Sequence, residues 1–354
     1  MDVIKQIYGA AFQMLDDGKA VVLAAELAKD GAYVRLLGRF APDSTSAKLI
    51  GQEKPTPLAE LGMLPKGFAN YSSWAFGSPI AKPIAKIVRE ITAGDGDEAG
   101  HAKLEAWSEL AAGSTLTASG SNFDRAGVTL IQNPNAEKTV AAMVAAYQSL
   151  GEGAVFQNIP VKGQPVVAER DQTHRDIAFH KIAIKVDFEE AAKKMPEEGR
   201  EAALKAFKEF MPETTTFWVG AKENQIVQVS AKDWASAQSF LDGAFDKKSP
   251  SANDPAVKRT REALPADVSF LTMLDATRTI NYMGGYFGSI MGSMPGVLFG
   301  GEAMPKLATV KADPCYVGLT LTLKGDSFAL TAFAPTQAAS LVREAIEPLL
   351  GKDE

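Results

Sequence analysis

The side chains of this 354-residue chain that could do acid–base, nucleophilic or metal chemistry are few: three histidines, one cysteine and scattered carboxylates. Two of the histidines share one run, Asp171-Gln-Thr-His174-Arg-Asp176-Ile-Ala-Phe-His180. His174, Asp176 and His180 have the same parity, so on a single strand they would point one way, as metal ligands do. A strand rises about 3.3 Å per residue, which sets His174 and His180 roughly 20 Å apart. One ion reaches both only if the chain turns between them; otherwise the run is a polar strand end on a solvated face. His101 stands alone beside Gly100 on a helix and reads as a surface residue. Cys315 excludes an intrachain disulfide and a thiolate zinc site, and a lone cysteine inside a strand reads as a small buried hydrophobe. Asp95, Asp97 and Glu98 lie close enough to suggest calcium, but the spacing of an EF-hand loop is absent and a solvated loop is the plainer reading. There is no Gly-rich phosphate loop, nucleophile elbow or His-Glu-x-x-His. No catalytic residue, metal or cofactor is therefore expected.

Apolar recognition has better candidates. Tyr282, Tyr286 and Phe287 share a helix with Met283, and Met291 and Met294 follow. Methionine is flexible and polarizable, and surfaces rich in it adapt to apolar ligands or partners. Met283, Phe287, Met291 and Met294 are the candidate ligand-binding residues, against the alternative that they pack in a core. The uncharged window Thr279–Gly301 has Gly284, Gly288 and Gly292 at the small-xxx-small spacing of membrane helix pairs. Its glycines and Pro295 make it a thin hydrophobic segment, so it reads as a close-packed helix followed by a loop, with no integral membrane span.

The elements around these residues repeat. Val317, Leu319, Leu321 and Leu323 alternate with Gly318, Thr320 and Thr322, the period of a strand with one apolar face. Lys324-Gly325-Asp326-Ser327 turns the chain, and Phe328, Leu330 and Ala332 resume the alternation. Pro335 closes the strand and Thr336 is the expected N-cap of a helix with Leu341, Val342, Ala345 and Ile346. Val21–Ile50 has the same parts: an alternating strand, Asp30-Gly31, a return strand ending Phe40-Ala41-Pro42, and a short helix. Phe333-Ala334-Pro335 matches that junction, which marks an internal repeat.

Along the chain the same order returns. A helix at Asp2–Leu15 precedes the first hairpin. A strand at Phe68–Phe76, a helix begun at Pro79 or Pro83, a second helix at His101–Leu110, a hairpin at Leu116–Ile131 and a helix capped by Asn133-Pro134-Asn135 form a second unit. Strand–turn–strand over Val166–Val186, two helices, a hairpin at Thr215–Val229 and a helix from Trp234 form a third. Lys247–Asp254 is a polar linker. A strand at Val268–Leu274, a helix at Asp275–Ser289 and the C-terminal hairpin form a fourth. The fold class expected is α+β, built of tandem strand-helix-hairpin-helix units, with mostly antiparallel sheets and helices packed on one face. Two pseudo-repeat domains are expected, 1–152 and 153–354, with the boundary in the Gly- and Pro-containing connection Gly151–Pro165. Unit one lacks its first strand, which suggests a natural chain extending upstream; alternatively Met1 starts an abbreviated end cap.

A hydrophobic content of 46%, a charged content of 23% and a net charge of −6 are ordinary for a globular protein. No lysine and arginine cluster exceeds Lys193-Lys194 or Lys247-Lys248, so nucleic acid is not an expected partner. No signal peptide opens the chain. The tandem units, with Leu64-Pro65, Leu264-Pro265-Ala266-Asp267 and the Phe-Ala-Pro junctions, resemble a group of uncharacterised exported bacterial proteins over most of the chain. The resemblance implies an extracytoplasmic setting, periplasmic or secreted, and no activity. The function expected is a non-catalytic extracytoplasmic binding or scaffold protein. The alternatives are a carrier of an apolar ligand or lipid, and a hydrolase whose site is assembled from distant segments around His174 or His180. The partner expected is another protein or an apolar small molecule.

Overall fold

A computed structural model of the chain describes residues 12–77, 79–83, 86, 98–152, 154–156, 159–195, 197–247, 249–292 and 308–347. Strands β1 (Gly18–Leu27) and β2 (Gly31–Phe40) form a hairpin that leads to α1 (Thr45–Ile50). The Ser44 hydroxyl accepts from the Ala47 N–H at 3.1 Å and caps that helix. β3 (Asn70–Trp74) is followed by α2 (Glu98–Ala111), the hairpin β4 (Leu116–Ser121) and β5 (Gly127–Gln132), and α3 (Ala136–Gln148). A short pair, β6 (Val155–Phe156) and β7 (Ile159–Pro160), precedes the hairpin β8 (Val166–His174) and β9 (Ile177–Lys185). Then come α4 (Phe188–Lys193), α5 (Glu197–Phe210), β10 (Thr214–Lys222), β11 (Gln225–Ser230) and α6 (Trp234–Asp246). The chain continues with α7 (Pro255–Ala263), β12 (Phe270–Asp275), α8 (Ala276–Gly292), β13 (Tyr316–Lys324), β14 (Ser327–Pro335) and α9 (Thr336–Ile346).

The described strands other than β6 and β7 form one twelve-stranded sheet, ordered β1-β2-β14-β13-β12-β3-β4-β5-β11-β10-β9-β8, and every neighbouring pair is antiparallel. The α+β expectation holds at that level. Three meanders fill most of it: β3-β4-β5, β9-β10-β11 and β12-β13-β14. In each, helical segments join the first strand to the second and a tight turn joins the second to the third. Meanders meet like strand to like strand. Third strands pair at β5·β11, and first strands pair at β3·β12. β14 likewise pairs with β2, the last strand of the N-terminal hairpin. The ladders β3·β12 and β5·β11 carry the sheet across residues 152 and 153.

The helices lie on both faces of this sheet, which corrects the expectation of one helical face. Val227 and Val229 of β11 are buried with Ala237 and Leu241 of α6, whereas Ile226, of opposite parity, is buried with Val140 and Met143 of α3. An interior strand whose residues are apolar at both parities needs cover on both sides. α7 was not expected. Asp254 supplies its cap, accepting from the Ala256 N–H at 2.9 Å, and Pro255 occupies its first turn. Thr336 is the first residue of α9 rather than its cap, and its hydroxyl donates to the Lys29 carbonyl at 3.3 Å. The hydrophobic residues expected on the helices at Asp2–Leu15 (before Phe12) and after Pro83, with Asp95 and Asp97, lie outside the described residues.

The largest buried side chains gather where β3 meets β12 and β13. Tyr71 donates to the Pro65 carbonyl at 2.8 Å and accepts from the Phe68 N–H at 3.2 Å. Tyr316 donates to the Phe68 carbonyl at 2.6 Å, and the two tyrosine rings are 5.7 Å apart. Burial raises the Tyr71 hydroxyl to about 12 and the Tyr316 hydroxyl further still. Phe68 lies over Gly120, where an added Cβ would come within 2.3 Å of its ring. Tyr71→Phe leaves the Pro65 carbonyl and Phe68 N–H without that partner, and the expected loss is about 1–3 kcal/mol. Gly120→Ala forces the Phe68 ring aside, for a similar loss of about 1–3 kcal/mol. Urea denaturation of both variants checks this; wild-type midpoints would mean that the cluster relaxes freely.

Candidate functional site

The helix that carries the candidate methionines is fixed at its start. Asp275, fully buried at the end of β12, accepts from the Arg278 N–H at 3.3 Å and the Cys315 N–H at 3.4 Å. Arg278 pairs with its other oxygen at 3.3 Å and donates to the Gly67 carbonyl at 2.7 Å. Asn281 ties the same helix to Val310, donating to its carbonyl at 2.9 Å and accepting from its N–H at 2.8 Å. α8 thus leaves the sheet at a set angle and packs against α5 and α9.

Between α8, α9 and the tip of the β1–β2 hairpin lies a cavity of ≈ 470 Å³. Its walls include Leu27, Leu274, Ile280, Val317, Ala334 and Val342. The space exists because α9 presents Ala338 and Ala339 to it, and β14 presents Ala334. Larger side chains there would fill the gap by ordinary core packing. Leu27, Ala32 and Ala334 are successive cross-strand partners, so the cavity floor continues along one sheet face. The next rows on that face are Ala25–Val34–Ala332 and Leu23–Leu36–Leu330. Much of this apolar surface is open: Leu27 is 91% exposed, Leu23 72% and Val21 61%. Contiguous exposed apolar surface of this kind marks an interaction site. On the opposite face a charged cleft with Arg35, Lys258, Arg259 and Glu262 separates the hairpin from α7, and Arg35 is paired with Glu26 at 2.9 Å.

Of the candidate residues, Met283 alone has a described side chain, and it is not among the residues that line this cavity. Met283 lies on α8 and is 36% exposed. Phe287 and Met291 belong to the described helix backbone, with side chains outside the described residues, as Met294 is entirely. Among the described residues, α8 meets the cavity through Ala276, Thr279 and Ile280. The alternation Val21-Leu23-Ala25-Leu27 was readable as a strand face. Its openness was not, because exposure depends on which helix covers which strand.

The histidine run does not converge. The chain turns at Arg175 and Asp176, both left-handed with φ 52° and 64°, so His174 and His180 sit on adjacent strands. His174 faces Trp234 on the α6 side and contacts Asp242 at 2.9 Å. Arg175 donates to the same Asp242 oxygen at 2.7 Å and, with His174, holds that carboxyl below the usual range. His180, opposite Val219, faces the α3 side. Asp176 points to solvent with its side chain 95% exposed. Cys315 is buried and unpaired by disulfide, and burial raises its thiol. Among the described residues, no group of three or more His, Cys, Asp or Glu could hold a metal ion, and no helix is long and apolar enough to cross a membrane. Comparison with protein-family models, curated proteins and solved structures finds no match to this chain.

His180 carries a pH consequence. Burial lowers its pKa from the ordinary value of 6.5, and its Nδ1 is buried without a hydrogen-bond partner. The unfolded chain therefore takes up this proton before the folded one. Stability tied to His180 is present above pH 6.5 and declines as pH falls from there through the lowered value. The urea midpoint of wild type relative to His180→Gln should decrease between about pH 8 and about pH 5. A pH-independent difference would show that the histidine titrates alike in both states.

Proposed function

We propose that this protein is a non-catalytic binding protein that takes a small apolar ligand between α8, α9 and the β1–β2 hairpin. The observation that carries the reading is the cavity of ≈ 470 Å³, walled by Leu27, Ile280, Val317 and Val342 and continuous with exposed apolar strand surface. Its volume falls within the range of about 300–1,000 Å³ usual for small-molecule sites. The exposed strand face offers an entering ligand a path along Leu23 and Leu27 rather than through packed core. The same face supports a second reading, that of a scaffold docking the apolar surface of another protein.

The extracytoplasmic setting belongs to this proposal and rests on the resemblance of the Leu-Pro and Phe-Ala-Pro segments. The tandem repeat belongs to it as well. It is supported by the three meanders, each ending in a helix that follows its hairpin (α3, α6 and α9), and by the shorter β1-β2-α1 segment with the same order.

The test is titration with Nile red, an uncharged probe that brightens in apolar surroundings. Wild type should bind it saturably. Ala338→Trp fills the cavity and should weaken binding about tenfold or more, equivalent to about 1.4 kcal/mol. Leu23→Lys should weaken it less, since Leu23 lies on the approach. If a folded Ala338→Trp variant binds the probe like wild type, the cavity is not the site.

A further inference from the structure

On the face covered by α3 and α8, the middle of the sheet carries polar residues. Thr272, Ser72, Ser119, Thr129 and Gln228 are successive cross-strand partners on β12, β3, β4, β5 and β11. In the next row Ser121 and Ser230 both face Gly127. A sheet face roofed by helices for stability alone is apolar, as the neighbouring Ile131, Ile182 and Phe217 are. Instead a cavity of ≈ 350 Å³ stands over the hydroxyls.

Arg125 reaches into this cavity from the β4–β5 turn. It holds a left-handed φ of 67°, a conformation that glycine or asparagine adopts with less strain. Its Nη1 donates to the Thr215 hydroxyl at 3.1 Å, and it forms no ion pair among the described residues. Burial lowers its pKa, as expected for a cation taken from water without an opposite charge. Ser119 and Thr129 satisfy each other at 2.9 Å. The side chains of Ser121, Gln228 and Tyr147 line the cavity and make no hydrogen bond among the described residues. Tyr147 packs edge-on against Phe217 at 5.4 Å and, with Phe156, gives the cavity an aromatic wall.

We propose that this cavity binds a small organic monocarboxylate, its carboxylate on Arg125 and its apolar body against Tyr147, Phe156 and Phe217. Among the described residues that line the cavity, Arg125 is the one cation and there is no acid. One guanidinium balances one negative charge and offers two parallel N–H groups to a carboxylate. A phosphate dianion would keep an uncompensated charge in a half-buried site. None of these residues belongs to the apolar cavity at the hairpin end, so the two sites stand or fall separately.

Isothermal titration of the full chain at low salt tests this with benzoate and inorganic phosphate as probes. Wild type should bind benzoate saturably and more tightly than phosphate. Arg125→Gln should weaken benzoate roughly tenfold to a hundredfold, and Arg125→Lys less, since lysine keeps the charge but loses the fork. Gln228→Trp fills the cavity from its floor with Arg125 intact, so it decides the matter if Arg125→Gln fails to fold; it should abolish benzoate binding. Absence of saturable benzoate binding by wild type would overturn the proposal. So would tighter binding of phosphate, or unchanged benzoate affinity in a folded Arg125→Gln or Gln228→Trp variant.

Discussion

The ladder between β3 and β12 is the constraint on which the rest of the structure depends. It spans the pairs from Asn70↔Leu274 to Trp74↔Phe270 and is the strand pairing that joins the β1-to-β12 side of the sheet to the β3-to-β8 side. Strand pairing alone would leave so short a joint weak, because backbone hydrogen bonds formed from water contribute modestly. Packing reinforces it. Tyr71 and Tyr316 bracket the joint and spend their hydroxyls on the carbonyls of Pro65 and Phe68, so their large apolar rings are buried without orphaned polar groups. On the same side, Asp275 holds Arg278 and the Cys315 N–H, and thereby sets where α8 leaves the sheet.

Joining like strand to like strand has a further result. At the third-strand joint β5·β11, α6 packs on both strands and α3 packs on β11, and at the joint β2·β14, α9 packs on both strands. α3 and α6 take opposite faces, which the two apolar parities of β11 require. At the hairpin end no second helix among the described residues covers β1, and its ten residues are all exposed. The apolar cavity lies at this margin, beside the exposed apolar surface of β1. The polar cavity lies at the centre, where hydroxyls replace apolar side chains beneath partial cover. One scaffold thus presents two chemically distinct recesses.

Much of this architecture was legible in the sequence. Alternation at Val317–Leu323 and Val21–Leu27, with Gly325-Asp326 and Asp30-Gly31 between runs, located both hairpins, because period-two patterning and turn chemistry are local properties. The β3–α2–β4–β5–α3 order was readable for the same reason. α7 was obscured by its charge: Lys258, Arg259, Arg261 and Glu262 mask an apolar stripe reduced to Val257 and its neighbours, although Asp254-Pro255 announces a helix start. The methionines of α8 stand out by composition, whereas among the described residues its cavity contact is made by Ala276, Thr279 and Ile280, which composition does not distinguish.

Neither recess was readable, and the reason is physical. Local patterning is enough to set most of the strands and helices, where most hairpins turn, and which residues share a strand face; these follow from backbone sterics and neighbouring side chains. The pairing of β3 with β12, the opposite facing of His174 and His180, and the meeting of Leu27 with Ala334 across β2 are set by long-range packing. The tertiary structure alone placed Arg125 over Ser121 and Gln228, on two strands about a hundred residues apart. Each of these is a non-local pairing, in which many registers satisfy the same local pattern and the collective burial of both sheet faces selects one.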